Sequence, residues 1–399
     1  MTSARCLALG SGLALLLLGT SACGGSSSSS GSGSGSSGGG SDPIKIGVLA
    51  PLSGDSAAAG TDIVNGAKLA ANKINKDGGV LGRQIELVKA DDACDAQTGT
   101  AAVQKLVTQK VVTVAGGYCS GAAIAETVIT DRNKIPFIAD AQTNVTITSR
   151  GLQHVFRTIG RDDKQGEFAA QYMTKDLKAK RIAIIHDNTA YAKGLAEATK
   201  AALEKLGLTP VFFDAITPGS KDFNSFLTGV RGKQPDATYF TGYFADAGLL
   251  LKQARDLGIT TPIIGGDATN DPTVIKTAGS AANNFSVTTA PLPQFISAAS
   301  SFVSDYTSAY GGVPGPYSVY EYDAISVTAD AIKRAGSTDP DKINAALKGT
   351  KDFAGLTGTI NFEPTGDRAN PVYITAVVKG GQFTRGRTMD PSGNFIGYK

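Results

Sequence analysis

Apolar residues follow two rhythms along this chain, and the two alternate. Residues 44–49 form a near-continuous apolar run between Pro43 and Pro51, the pattern of a strand buried on both faces. Ile63, Ala67, Ala70 and Ile74 then recur at helical spacing until Gly78-Gly79 breaks the run. The same alternation predicts strands at 85–88, 111–115 and 136–138, with helices at 96–109 and 122–132 between them. Strands separated by helices of this length imply a parallel sheet covered on both faces.

A second series starts after Arg161. Helices are expected at 165–177, 195–206, 223–232 and 247–257, and strands at 181–186, 211–213, 238–240 and 262–264. The fold class read from this is α/β, with two doubly wound parallel sheets in tandem. From Pro291 the pattern changes to helical stretches at 295–310, 320–334 and 341–347, an alternating segment at 357–362 and a strand at 373–378. Helices without partner strands cannot build a third sheet, so they should pack back onto the earlier lobes.

The amino terminus has a different character. Arg5, an apolar stretch at 7–18 and the small residues Thr20-Ser21-Ala22 read as a secretory signal peptide over residues 1–22. The stretch falls short of the roughly 20 apolar residues that a spanning helix needs. The run Gly19-Thr20-Ser21-Ala22-Cys23 resembles a bacterial lipoprotein signal, which implies lipid on Cys23. Eighteen consecutive Gly or Ser residues follow, at 24–41. They have nothing to bury, and as a flexible tether they should span roughly 23 to 25 Å.

Composition narrows the class. Lys and Arg number 38 against 35 Asp and Glu, a net charge of +3, which gives no basic surface for nucleic acid. After residue 42 there is no long apolar run. A soluble, extracytoplasmic, monomeric body of two domains without a cofactor is expected. With Cys6 in the signal and Cys23 lipidated, Cys94 and Cys119 remain; in an oxidising compartment they read as a disulfide, the alternatives being two buried thiols or a metal pair.

Catalytic motifs are few. A GxGxxG at 33–38 and a GxSxG at 35–39 lie wholly inside the Gly/Ser tether, where neither follows a strand nor opens a helix. The only histidines are His154 and His186, which read as structural and supply no metal-ligand cluster. A tethered hydrolase is therefore disfavoured.

Open parallel sheets bind ligands beyond the carboxyl ends of their strands. Those positions are polar and glycine-rich here. After residues 111–115 comes Gly116-Gly117-Tyr118-Cys119-Ser120, where Ser120 could donate to a carboxylate or serve as an N-cap. After 136–138 the hydroxyl of Thr143 and the backbone near Ala141 are available. In the second series, Tyr243 offers a ring face and Asp267 a negative charge to a cation. Asp267 could equally be a turn residue, and Tyr243 a packing aromatic.

Several blocks carry a family resemblance: Asp91-Asp92-Ala93-Cys94, Tyr118-Cys119-Ser120, Gln153-His154 through Arg157-Thr158, residues 181–187, and Phe212-Phe213-Asp214 through Lys221-Asp222-Phe223. In this order they resemble the periplasmic leucine/isoleucine/valine-binding protein family, from Ile44 to about Tyr373. The resemblance implies a type I periplasmic binding protein: two α/β lobes joined by three crossovers, serving an ABC importer and its membrane permease. The first lobe would be residues 44–160 plus 291–367, and the second 161–290 plus 368–399. It also implies that Cys94 pairs with Cys119, that Ser120, Ala141 and Thr143 bind a carboxylate, and that Tyr243 and Asp267 bind an ammonium. Tyr191 and Tyr317 match cleft aromatics. Asp267 stands where the family usually has Glu, and Ala59 replaces a large aromatic of the side-chain pocket, so that wall should be wider. The expected function is a lipid-anchored receptor that traps an amino acid, of branched-chain type or related, by hinge closure. A receptor for a short amide or urea, or a ligand-sensing partner of a signalling protein, are the alternatives.

Overall fold

The computed structural model describes residues 42–398. The signal peptide, the lipidated Cys23 and the tether expected from the sequence lie outside the described residues.

The first series runs β1 (Ile44–Ala50), α1 (Ala57–Lys76), β2 (Ile85–Asp91), α2 (Ala96–Thr108), β3 (Thr113–Gly116), α3 (Ser120–Arg132), β4 (Phe137–Ala139), α4 (Thr146–Ser149) and β5 (Val155–Arg157). Its five strands form one parallel sheet in the order β2-β1-β3-β4-β5. Ile46, Val48 and Leu49 of β1 are fully buried, as a strand covered on both faces requires. The three-residue β5 carries Arg157 in an otherwise apolar run, which hides it from a hydrophobicity reading.

The second series runs α5 (Asp162–Gln171), β6 (Ile182–His186), α6 (Ala190–Lys205), β7 (Phe212–Ala215), α7 (Asn224–Gly232), β8 (Ala237–Phe240), α8 (Phe244–Asp256), β9 (Ile263–Gly265), α9 (Pro272–Ala278) and β10 (Ser286–Thr289). α5 continues as a π-helical turn over Tyr172–Asp176. Strands β7-β6-β8-β9-β10 are parallel. β10 reads Ser-Val-Thr-Thr and is buried throughout. The Thr288 hydroxyl is satisfied inside, its Oγ1 lying 2.7 Å from Tyr239 Oη.

The tail contains α10 (Ser300–Tyr310), α11 (Ser318–Ala335), α12 (Pro340–Lys348), a hairpin of β11 (Phe353–Gly355) and β12 (Gly358–Ile360), then β13 (Ile374–Lys379), β14 (Gln382–Met389) and β15 (Phe395–Gly397). As expected, the helices return to earlier structure: α11 packs on α1, β3 and β4. A Cβ on Gly66 of α1 would lie 2.1 Å from Ser318 O, so the close approach of these helices needs glycine there. The second sheet is not purely parallel. β13 joins β10 antiparallel, and β14 and β15 extend that edge antiparallel, giving an eight-stranded mixed sheet.

Three stretches carry the chain between the two sheets: β5 to β6, β10 to α10, and β12 to β13. Two of them are bonded together. Arg157 Nε and Arg161 Nη1 each lie 2.8 Å from an oxygen of Asp367. Arg368 Nη1 donates to Thr158 O at 2.7 Å, and Tyr373 Oη donates to Arg161 O at 2.7 Å.

Candidate functional site between the two sheets

The carboxyl ends of β3 and β4 face those of β6, β8 and β9, and the polar crests read from the sequence meet there. Gly116 and Gly117 hold φ of 93° and 106°, a backbone that side chains disfavour. A Cβ on Gly117 would fall 1.5 Å from Gln142 Nε2. This turn delivers Tyr118, Cys119 and Ser120 to the start of α3. Cys94 and Cys119 are disulfide-bonded, with Cα atoms 5.1 Å apart, tying the end of β2 to that of β3.

Ser120 is not an N-cap. It is the first residue of α3, and its Oγ accepts from Asn144 N–H at 3.3 Å, joining the two crests of the first sheet. The second crest is clamped from below. The buried Arg157 guanidinium donates to Gln142 O at 3.0 Å and Asn144 O at 3.1 Å, which fixes the backbone on both sides of Thr143. Thr143 Oγ1 is buried without a hydrogen-bond partner. The N–H of the buried Ala141 faces Gln142 Oε1 at 3.4 Å.

On the opposite side, Asp267 is buried and both its oxygens accept tyrosine hydroxyls: Tyr191 at 2.6 Å and Tyr317 at 3.1 Å. Asp267 therefore does more than complete a local turn. Tyr317 precedes α11, which packs on the first sheet, so this bond spans the cleft. Tyr118 Oη spans it as well, reaching Ala268 O at 3.4 Å. The rings of Tyr118 and Tyr243 and of Tyr118 and Tyr317 each lie 5.5 Å apart, and those of Tyr191 and Tyr243 lie 5.2 Å apart. Tyr243 thus stacks among tyrosines, while the hydroxyls on Asp267 come from Tyr191 and Tyr317. Burial raises the Asp267 carboxyl above its ordinary pKa, and the hydrogen bonds from Tyr191 and Tyr317 pull it back.

One site residue was missed in the sequence. Asp162 begins α5, its N–H donates to Thr143 O at 3.0 Å, and neither of its buried carboxylate oxygens has a hydrogen-bond partner. Burial and then the nearby Asp267 push its pKa up to about 8, against the opposing pull of Arg157. In sequence, Asp162-Asp163 looks like ordinary acidic decoration of a helix first turn.

Ala59 lines a cavity of about 800 Å³ that opens beside Tyr118, Ala268 and Tyr317. The histidines stand elsewhere. His154 pairs with Asp131 at 2.8 Å, and His186 accepts from Asn188 N–H while packing on Phe213.

A model of the periplasmic binding protein family matches residues 43–382. The chain belongs to that family. A Leu/Ile/Val-binding protein of Rhizobium johnstonii is 38% identical over 325 residues, 81% of this chain and 88% of that protein. A leucine-binding protein of Thermotoga maritima superposes with a TM-score of 0.82 at 31% identity, covering 88% of this chain and 99% of that one. A branched-chain amino acid transporter substrate-binding protein of Streptococcus pneumoniae, solved with isoleucine, gives 0.80 at 29% identity, covering 89% and 99%. The candidate site of this family member is a cleft whose residues come from both sheets and from the returning tail. Among the described residues, no helix is long and apolar enough to cross a membrane.

Proposed function

We propose that this periplasmic binding protein is the amino acid receptor of an ABC importer, held outside the membrane by lipid on Cys23 and delivering its ligand to a permease as a monomer. The observation that carries the reading is the pairing of two buried carboxyls, Asp162 and Asp267, across from the Ser120 and Ala141–Thr143 crests. An α-ammonium between Asp162, Asp267 and the Thr143 hydroxyl would balance two groups that resist ionising together. The α-carboxylate would take the Ser120 hydroxyl and the backbone at Ala141 and Thr143. The names of its relatives, which bind leucine, isoleucine and valine, support the same class.

The lobes in this reading are residues 44–160 plus 291–367, and 161–290 plus 368–399. Ser120, Ala141 and Thr143 belong to the first, and Tyr191, Tyr243 and Asp267 to the second. A ligand that touches both lobes only when they are shut favours the closed state by its differential affinity. No bond is made or broken in that cycle. A neutral amide or urea would leave two acids without a cation, which favours the amino acid.

Calorimetric titration against amino acids, amides and urea tests the reading. Amino acids should bind, and Asp267→Asn should cost about 3–5 kcal/mol because a buried ammonium loses its partner. Unchanged affinity in that variant, or turnover of any panel member, would overturn the proposal. Release of binding-competent protein from cells by Cys23→Ser would support the anchor.

A further inference from the structure

We infer that the ligand carries a side chain larger than leucine's, aromatic or long and apolar, seated in the cavity beside Ala59. The inference rests on the amino acid reading above and adds what lies beyond the α-carbon. Tyr118, Ala268 and Tyr317 line the cavity. Tyr317 donates to Asp267, and Ala268 follows Asp267 directly, so the cavity begins where the polar site ends. A ligand with its ammonium at Asp267 therefore points its side chain past the Tyr118 and Tyr317 rings.

The space is wide and its walls are mostly carbon. Ala59, Pro314 and Pro316 line one side, and Phe244, Pro272 and Ile275 the other. The charged groups there are already engaged: Asp62 accepts Gly315 N–H at 2.8 Å and Ser318 N–H at 3.1 Å, and Asp271 accepts Thr273 N–H at 2.7 Å as the cap of α9. Arg385 lies 5.7 Å from the Phe295 ring. At about 30 Å³ per heavy atom, as for water, the four carbons of a leucine side chain fill roughly 120 Å³. That is a small part of about 800 Å³. Apolar walls without a partner forgo dispersion contacts that a bulkier group would make, and the edge-on tyrosines suit an aromatic ring.

Each added methylene in an apolar pocket is worth roughly 10- to 200-fold in discrimination. Titration of the full-length protein with leucine, phenylalanine and tryptophan should show phenylalanine or tryptophan binding at least about tenfold tighter than leucine. Ala59→Phe should narrow the cavity and reverse that order, and Ala59→Leu should move it part of the way. Leucine as the tightest wild-type ligand, or an order that neither Ala59 variant shifts, would overturn the inference while leaving the amino acid receptor standing. Failure of all three ligands would overturn both.

Discussion

The two sheets share a topology but not an interior. Among the carboxyls buried around the first sheet are Asp62, Asp92, Glu126, Asp140 and Glu321. Glu126, Asp140 and Glu321 have no hydrogen-bond partner at either oxygen. Around the second sheet the buried acids Asp162, Asp187, Asp246 and Asp267 stand at strand ends and helix starts, while the sheet interior is held largely by hydroxyls and amides with partners. Tyr239 meets Thr288, Gln165 donates to Thr288 O at 2.9 Å, and Thr241 donates to Ala192 O at 2.7 Å. The same architecture thus tolerates a sheet interior held by neutral pairs and one packed against acids whose ionisation burial opposes. Burial is the first cause of the raised pKa values of all five acids, and it brings Asp62 and Asp92 to about 6.

That difference predicts where pH acts. A carboxyl whose pKa is raised by folding costs nothing below its ordinary pKa, because both states are then protonated. Above it the unfolded chain releases the proton first, and stability falls by about 1.4 kcal/mol per pH unit per group until the folded pKa is reached. For Asp62 and Asp92 the window runs from the ordinary carboxylate range to about 6, and for Glu126, Asp140 and Glu321 it extends higher. Thermal melts should fall as pH rises from 4 to 8, and Glu126→Gln with Glu321→Gln should melt above wild type at pH 8 while matching it at pH 4. Parallel pH profiles for the two proteins would break the comparison.

The second core should respond differently. Phe285→Ala removes a fully buried ring and should cost about 3–5 kcal/mol, by the same amount at pH 5 and pH 8. A strong pH dependence of that loss, read in calorimetric melts, would count against a core of neutral pairs. The smallest expected effect is at the disulfide. Replacing Cys94 and Cys119 with serine opens a crosslink spanning a separation of 25 residues and should cost about 3 to 4 kcal/mol. The loss should be confined to melting of the first lobe, and equal destabilisation of the second would blur the distinction.

Much of the architecture was legible because strand and helix periods are local. Ile44-Lys45-Ile46-Gly47-Val48-Leu49 and the Ile63-Ala67-Ala70-Ile74 stripe mark their elements without reference to anything distant. β10 was not legible, because Ser286, Thr288 and Thr289 look like loop residues until the strand's partners are in place. β14, near an exposed antiparallel edge, carries Arg385 and Arg387, and β15 is only three residues long, so no apolar rhythm announces either. At the site, Ser120, Thr143 and Asp267 stand on polar strand ends rich in small residues, a signal that sheet geometry makes readable. Asp162 does not, since its neighbours in sequence say only that a helix begins.

The sequence by itself determined the alternating elements, the crests at the strand ends and the two cysteines free to pair, because each is set by residues within a few positions of one another. Only the tertiary structure decided that Asp162 and Asp267 lie near each other, that Tyr317 crosses the cleft, and that the acids around the first sheet are removed from water. Burial and charge proximity depend on segments hundreds of residues apart, and no local pattern encodes the distance between them.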